Sequence, residues 1–191
     1  MNDPIIRRYL LEELKKKYIS SDNDINRIVN EMAVCRGLAR VDVAVINGSL
    51  HGYEIKSSED TLVRLDNQLN TYFKCFDYIS VVTTEKHLTG VFAHCPENVG
   101  ISEVISIGNK VKIIQKRKAK RNRNIDAISV LELLWKNELL ELANLNNLTK
   151  KINSKSKEFI CSYIADNLNI SKIQYSVRCL LKTREGWKSD L

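Results

Sequence analysis

The spacing of apolar side chains predicts helices and strands in alternation. Apolar residues recur at helical spacing over 4–17, a stripe typical of an amphipathic helix. β-Branched residues alternate strictly with other residues over 40–46, which indicates a strand, and 50–57 follows as a second strand after a short turn. Residues 27–34 fit either a helix end or a strand, and 20–24 carry the polar capping residues of a loop.

The same reading extends to the middle of the chain. Apolar residues return at helical spacing over 60–77, which predicts a helix capped by the polar run "SSED" at its entry. The continuous apolar run 78–84 is typical of a buried strand. Weaker strands are predicted over 90–95 and 101–107, and 111–117 can pair with the latter across a Gly-Asn turn.

Near residues 120–125 the strand patterns give way to helical ones. Helices are predicted over 126–145, 156–168 and 171–184. Trp135 falls at helical spacing with Leu131 and Leu139, which predicts a core position for it. The sequence therefore predicts an α/β domain over 1–122 and a helical C-terminal subdomain over 123–191.

Composition narrows the class of protein. The chain has 191 residues, of which 43% are hydrophobic and 28% charged, as in a globular protein. No apolar run approaches the ~20 residues of a membrane helix, and the first residues lack the apolar core of a signal peptide, so we expect a cytoplasmic protein. Five cysteines form no C-x-x-C pair and the three histidines stand apart, so neither a zinc site nor a disulfide framework is expected.

The charge of the chain points to a polyanionic partner. Net charge is +7, and much of the excess lies in the basic run over 109–124. Such a run suits nucleic acid, although a solvated basic edge would have the same composition. The candidates for contact with nucleic acid are Lys116, Arg117, Lys118, Lys120, Arg121 and Arg123.

An acid and a lysine lie two residues apart in the second of the two predicted strands. Side chains alternate faces along a strand, so Glu54 and Lys56 share a face. If a three-residue loop sets Ile46 opposite Leu50, Asp42 of the first strand lies directly opposite Glu54. A loop shifted by one residue places the acids diagonally, and a two-residue turn puts them on opposite faces. A catalytic pair therefore predicts that this hairpin is not a two-residue turn.

Paired carboxylates of this kind suit a divalent metal ion. Two close carboxylates repel each other, and burial increases the repulsion. Mg²⁺, or Mn²⁺ in its place, relieves it, because a hard cation prefers oxygen ligands and keeps several waters. One of those waters, with its pKa lowered, is a nucleophile for a phosphodiester. Lys56 can orient that water or stabilise the charge that develops on phosphorus, and the carbonyl of Ile55 could be a further ligand.

Asp42, followed twelve residues later by Glu54-Ile55-Lys56, resembles the signature of the PD-(D/E)XK nucleases, the restriction-endonuclease-like superfamily. Val41 stands where the motif name has proline. The order helix, strand, strand, strand, helix, strand is also similar to the core of that superfamily. The resemblance implies a mixed central sheet flanked by helices, here followed by an all-helical C-terminal segment.

Further residues extend the resemblance. Gln68 and Tyr72, four residues apart on the next helix, resemble the fourth motif of RecB-like and Holliday-resolvase-like members. Glu31 lies where many members place an additional acid. Residues 31–84 and 133–140 are similar to a poorly characterised bacterial family of restriction-endonuclease-like proteins with a C-terminal helical segment.

The resemblance implies a Mg²⁺-dependent hydrolase of DNA phosphodiesters. It implies a metal site made of Asp42, Glu54, Glu31 and the carbonyl of Ile55. It also implies a catalytic group made of Asp42, Glu54, Lys56, Gln68 and Tyr72. Restriction-like enzymes often pair their active sites in dimers, so a homodimer is one expected arrangement.

Other functions stay open on the sequence alone. The superfamily contains members that do not cut, so the chain could be a catalytically silent module that binds nucleic acid. A toxin or immunity-type protein would instead use its basic face to bind an acidic protein. RNA is not distinguished from DNA. Asp42 could also be an ion-pair partner of Arg40 or Lys56, whereas His51 alternates away from Glu54 and is expected to be structural.

Overall fold

The computed structural model describes residues 1–19, 26–108, 110–148 and 152–187. The strands are β1 (Arg27–Val34), β2 (Ala39–Ile46), β3 (Leu50–Lys56), β4 (Tyr78–Thr84), β5 (Gly100–Ile107) and β6 (Lys110–Arg117). The helices are α1 (Asp3–Tyr18), α2 (Leu65–Tyr72), α3 (Glu85–His94), α4 (Ala127–Leu131), α5 (Lys136–Leu145), α6 (Lys157–Asn167) and α7 (Ile170–Thr183).

The strands form one mixed six-stranded sheet in the order β1-β2-β3-β4-β5-β6. Strands β1, β2 and β3 are antiparallel neighbours. Strands β3, β4 and β5 are parallel, which requires the crossovers that contain α2 and α3, and β6 returns antiparallel to β5. The predicted mixed sheet with flanking helices and a helical C-terminal segment is thus confirmed.

Helices cover both faces of the sheet. On one face, α1 buries Ile6, Leu10 and Leu14 against residues of β2 and β3 that include Val43 and Ile55. On the other face, α2 and the C-terminal helices share a single hydrophobic cluster with the sheet. That shared cluster makes the helical segment part of the same core, and the division into two domains at residue 122 stays a prediction.

The hairpin of β2 and β3 has the register that the paired acids require. Ile46 lies opposite Leu50, so the loop consists of Asn47, Gly48 and Ser49. The side chain of Asn47 accepts a hydrogen bond from the Ser49 backbone N–H at 2.8 Å, a local turn typical of asparagine. The prediction that this hairpin is not a two-residue turn is confirmed.

The helix predicted over 60–77 is shorter than the apolar spacing indicated. It begins at Leu65 and ends at Tyr72. The "SSED" run does not cap it, because the backbone N–H and hydroxyl of Ser57 both donate to Asp60, at 2.8 and 2.6 Å. These polar residues close their own turn before the helix begins, and the prediction that they cap it was wrong.

Two other predicted elements differ from the structure. The strand predicted over 90–95 was wrong, since these residues lie in α3 or at its end. Val91 and Cys95, one helical turn apart, are buried together, which is a helical spacing. The single helix predicted over 126–145 is two helices, α4 and α5, and the break exposes 47% of Trp135, so its predicted core position was also wrong.

The remaining predicted elements agree with the structure. Residues 27–34 are a strand, and the first helix, the run 78–84 and the pair 101–107 with 111–117 are as expected. The loop predicted over 20–24 lies outside the described residues, as does Asn109 of the turn before β6. Among the described residues, no helix is both long enough and apolar enough to cross a membrane.

Candidate active site

Three acids stand at one level on three neighbouring strands. In the ladder of β1 and β2, Glu31 and Asp42 lie between the pairs Asn30–Val43 and Met32–Val41. The ladder of β2 and β3 ends one residue before Asp42 and Glu54, where these strands separate. The separation frees the backbone and side chain of Asp42 for other contacts.

Asp42 fills the gap between the separating strands. Its Oδ2 accepts a hydrogen bond from the Ile55 backbone N–H at 2.7 Å, and its Oδ1 accepts one from Arg7 at 2.8 Å. Burial raises the pKa of Asp42 above its usual value, although these two donors act against that rise. Because the N–H and C=O of one strand residue point to the same edge, the carbonyl of Ile55 faces this gap as well.

Glu54 is buried among donors, with 2% of its surface exposed. Its Oε1 accepts hydrogen bonds from Lys56 Nζ at 2.8 Å and from Gln68 Nε2 at 2.6 Å. Its Oε2 lies 2.7 Å from the Tyr72 hydroxyl. Burial and the charge of Asp42 raise the pKa of Glu54, and the Lys56 ammonium opposes that rise.

Lys56, Gln68 and Tyr72 form one network around Glu54. Lys56 is 4% exposed, and its Nζ also donates to Gln68 Oε1 at 2.9 Å. The Tyr72 hydroxyl lies 2.8 Å from the Arg40 carbonyl as well, so its single proton serves either that oxygen or Glu54. The structure thus brings together four of the residues expected for catalysis, and Asp42 lies beside them.

Arg7 joins Glu31 to this group and could not be identified from the sequence. It reaches Glu31 Oε1 at 3.0 Å and Asp42 Oδ1 at 2.8 Å, while Glu31 is nearly half exposed and has a φ of 53°. Such a positive φ is uncommon outside glycine and indicates backbone strain at this point. The only local signal for Arg7 is its spacing from Asp3, with which it forms an ion pair across one helical turn.

A cleft of about 740 Å³ opens onto these side chains. Asp42, Glu54 and Lys56 lie among its lining residues. Its rim carries exposed polar and cationic side chains: Arg40, Arg64, Asn67 and Asn70. A polyanion in the cleft would therefore find cations at the rim and acids at the floor.

The donor set fits a hard divalent cation in chemical type. In the described ranges, no group of three or more His, Cys, Asp and Glu side chains could hold a metal ion. The site offers two carboxylates and a backbone carbonyl, and Mg²⁺ is commonly held by one or two carboxylates with water completing the shell. Both carboxylates already attract cations, since Arg7 contacts Asp42 and Lys56 contacts Glu54. The fit therefore requires that these cations make room.

The basic residues expected to bind nucleic acid lie away from the carboxylates. Arg117 donates to the carbonyl oxygens of Val99, Cys95 and Pro96, at 2.8, 3.0 and 2.9 Å, so its guanidinium is used within the protein. Lys116 pairs with Glu103 at 2.8 Å and Lys120 with Glu97 at 3.4 Å. Lys118 and Arg123 are exposed.

Arg121 shows where the part of the basic run that follows β6 lies. It lies 3.9 Å from Asp77, whose other carboxylate oxygen accepts from the backbone N–H of Leu50 at the start of β3. Glu54 and Lys56 lie towards the far end of that strand. Arg121 therefore lies away from the candidate site, and Lys116 and Arg117 lie on β6, three strands from β3.

His51 lies on the opposite face of β3 from Glu54. Its Nε2 lies 2.9 Å from the Ser80 hydroxyl, and its Nδ1 lies 3.2 Å from the Tyr53 hydroxyl. Burial lowers the pKa of His51 to about 3, so the ring is neutral near neutral pH. These contacts support the structural role expected for His51.

We expect His51 to make the fold sensitive to acid. Its folded pKa of about 3 lies below the ordinary 6.5, so the unfolded chain binds this proton more readily between those values. Its contribution to stability is complete above pH 6.5 and is lost as the pH falls towards 3. Between about pH 7 and about pH 4, the free energy of unfolding should therefore fall by about 3 kcal/mol less in His51→Gln than in the wild type. Urea unfolding at the two pH values measures this difference. The exposed His94→Gln is the control, and parallel losses in wild type and His51→Gln would contradict this assignment.

Comparison with known proteins gives a family but no known fold. The family model described as Bacteriophage P4 protein cII matches residues 1–191. Protein cII of Enterobacteria phage P4 is 34% identical over 177 residues, which cover 92% of this chain and 64% of that protein. The chain thus spans just under two thirds of the length of this curated relative. No solved structure matches the chain.

Proposed function

The chain belongs to the bacteriophage P4 protein cII family, and we propose that it is a divalent-metal-dependent nuclease that hydrolyses DNA phosphodiester bonds. The proposal assigns it to the restriction-endonuclease-like, PD-(D/E)XK superfamily. One observation carries it: Asp42 and Glu54 lie where two strands separate, and a buried lysine contacts Glu54. That is the residue set and the placement that the sequence motif requires.

The order of elements supports this assignment. The chain runs from α1 through the antiparallel strands β1, β2 and β3 to α2 and the parallel strand β4. This order is similar to the helix, three strands, helix and strand of the superfamily core, which supports the proposal. The candidate residues lie on β2, β3 and α2 of that unit, as the motif order requires.

Each side chain of the candidate site has its own proposed role in the reaction. A divalent cation, when bound, supplies positive charge for the two carboxylates and lowers the pKa of water. Asp42, Glu54 and the Ile55 carbonyl are the oxygens that would hold it. Lys56 lines the cleft, where its ammonium can orient an attacking water or stabilise negative charge on the phosphate. Gln68 and Tyr72 hydrogen-bond to Lys56 and Glu54 and so hold both side chains at the cleft.

The cleft rim is the surface proposed to hold the nucleic acid. The Arg40 side chain is 64% exposed, and Arg64, at the entry to α2, lines the same cleft. Contacts of this kind to phosphate are independent of sequence and weaken as salt rises. The basic run begins on β6, three strands away from β3, and could contact only a longer substrate. The proposed substrate is DNA, and the proposed location of the protein is the cytoplasm.

Asp42→Asn tests the metal site directly. We expect Mn²⁺ to bind this variant about 100-fold more weakly than the wild type, because a neutral amide removes one of two charged ligands. Calorimetric titration of the folded proteins measures the change, and cleavage of DNA should fall with it. Asp66→Asn, which removes an exposed carboxyl from α2, is the matched control and should bind Mn²⁺ as the wild type does. Equal Mn²⁺ affinity in Asp42→Asn would exclude Asp42 as a ligand.

A silent nucleic-acid-binding module is the alternative that one observation favours. Arg7 and Lys56 each contact a site carboxylate, so the acids have cationic partners without any metal. Such a module would bind DNA in a salt-sensitive way and would not cut it with Mg²⁺ or Mn²⁺. Binding without cutting by the folded wild type would therefore favour this second function over the first.

A further inference from the structure

Arg7 holds a permanent positive charge against the Asp42 carboxylate. Its Nη2 lies 2.8 Å from Asp42 Oδ1 and 3.0 Å from Glu31 Oε1, and its Nε lies 2.9 Å from Asp3 Oδ1. Its Nη1 donates to the backbone carbonyl oxygen of Asp42 at 2.8 Å. A guanidinium keeps its proton in proteins. Three carboxylates from α1, β1 and β2 thus share one cation at the edge of the candidate metal site.

We propose that Arg7 is a resident counter-charge that holds Asp42 in the metal-free protein and competes with the divalent cation for Asp42 Oδ1. The inference rests on the metal site of the proposed function. An oxygen that accepts the Arg7 N–H at 2.8 Å is not free to coordinate a metal ion. Two cations held against one carboxylate also repel each other at close range. Metal binding at this oxygen therefore requires Arg7 to withdraw.

Arg7 can move away from Asp42 and keep two other acidic partners. Nη2 already contacts Glu31, and Nε already contacts Asp3, so a small movement away from Asp42 leaves the guanidinium paired with two acids. A charge that is left without a partner is costly, and this arrangement avoids that cost. The strained backbone at Glu31 has a role in this account, because it presents a carboxylate to Arg7 opposite Asp42.

The proposed competition predicts the direction in which metal affinity changes when Arg7 is replaced. Removal of Arg7 should tighten metal binding, although it also removes a contact that positions Asp42. By reciprocity, metal binding should loosen the contact between α1 and β2 by the same factor. A purely structural role for Arg7 predicts the opposite sign for the affinity, because a loosened Asp42 would bind the metal less well.

Calorimetric titration of Mn²⁺ into folded wild type, Arg7→Gln, Arg7→Lys and Arg8→Gln tests the proposal. We expect Arg7→Gln to bind Mn²⁺ about tenfold more tightly than the wild type. Arg7→Lys keeps the charge but loses the fork geometry, so its affinity should lie between the two. Arg8 is exposed on the same helix, and Arg8→Gln makes the same change in net charge with no expected effect. Arg7→Lys serves as the test if Arg7→Gln does not fold.

The outcomes separate this inference from the proposed function. If the wild type binds Mn²⁺ and Arg7→Gln binds it equally or more weakly, the inference is overturned and the metal site stands. If neither protein binds Mn²⁺, the proposed metal site fails and the inference falls with it.

A double-mutant cycle tests the part assigned to Glu31. Glu31→Gln should weaken Mn²⁺ binding in the wild type and have no effect in Arg7→Gln, because it acts only through Arg7. An equal effect in both backgrounds would make Glu31 a direct ligand and overturn its assigned role.

Discussion

Lys56→Met should lower DNA cleavage by about 10³-fold while DNA binding stays within a few fold of the wild type. The Lys56 ammonium contacts Glu54 at 2.8 Å and Gln68 at 2.9 Å at the floor of the cleft, where it cannot reach solvent freely. Methionine preserves most of the volume of the side chain and removes its charge and its donors. The loss therefore falls on the step in which charge develops on the phosphate. Single-turnover cleavage and salt-dependent binding, measured on the same DNA, separate the two effects.

Lys136→Met is the control for that variant. Lys136 is exposed at the start of α5, so its replacement changes the net charge equally and should leave cleavage unchanged. Circular dichroism of both variants checks that the fold is retained, because Glu54 loses its cationic partner in Lys56→Met. Wild-type cleavage by a folded Lys56→Met protein would remove Lys56 from the proposed chemistry.

Arg184→Ala should destabilise the fold by about 3–5 kcal/mol. Arg184 Nε donates to Glu138 Oε1 at 2.6 Å, and its Nη2 donates to the Leu133 carbonyl at 2.8 Å. Its guanidinium lies 4.5 Å from the ring centroids of both Trp135 and Trp187. Both members of the ion pair are buried, so alanine leaves the charge of Glu138 without a partner in the interior. Urea unfolding at neutral pH measures the change in the free energy of unfolding.

An exposed ion pair provides the comparison for Arg184. Lys120 and Glu97 lie 3.4 Å apart, with side chains 66% and 91% exposed. Lys120→Ala should change the free energy of unfolding by less than about 1 kcal/mol, because solvent screens an exposed pair. A loss as small as this in Arg184→Ala would show that the buried cluster does not join α7 to α5 in the way its geometry indicates.

The parts of the structure that depend on period-two alternation could be predicted from the sequence. The alternation over β2 and β3 gives the faces of Asp42, Glu54 and Lys56, and only some loop lengths bring the two acids together. The observed register, with Ile46 opposite Leu50, is one of those. The spacing of Gln68 and Tyr72 likewise places both on one face of α2, where they meet Glu54.

The parts that depend on contacts between distant segments could not be predicted. Arg7 reaches Asp42 across 35 positions of the chain, whereas the local pattern of α1 indicates only its pairing with Asp3. Glu31 has its positive φ at a gap in the ladder of β1 and β2, which local spacing does not reveal. The net charge of the basic run could not show that Arg117 donates its hydrogen bonds to backbone carbonyl oxygens of the protein itself. Local spacing also made Trp135 look like a core residue, because it does not show where a helix breaks.

Cleavage of DNA by the purified wild-type chain, with Mg²⁺ and with EDTA, tests the central claim most directly. Supercoiled, linear and single-stranded DNA would be incubated in parallel with RNA, and salt-dependent binding to each would be recorded. The account predicts that DNA is cut in Mg²⁺ or Mn²⁺, and that EDTA abolishes the cutting. Folded protein that binds these nucleic acids but cuts none of them with either metal would contradict the account.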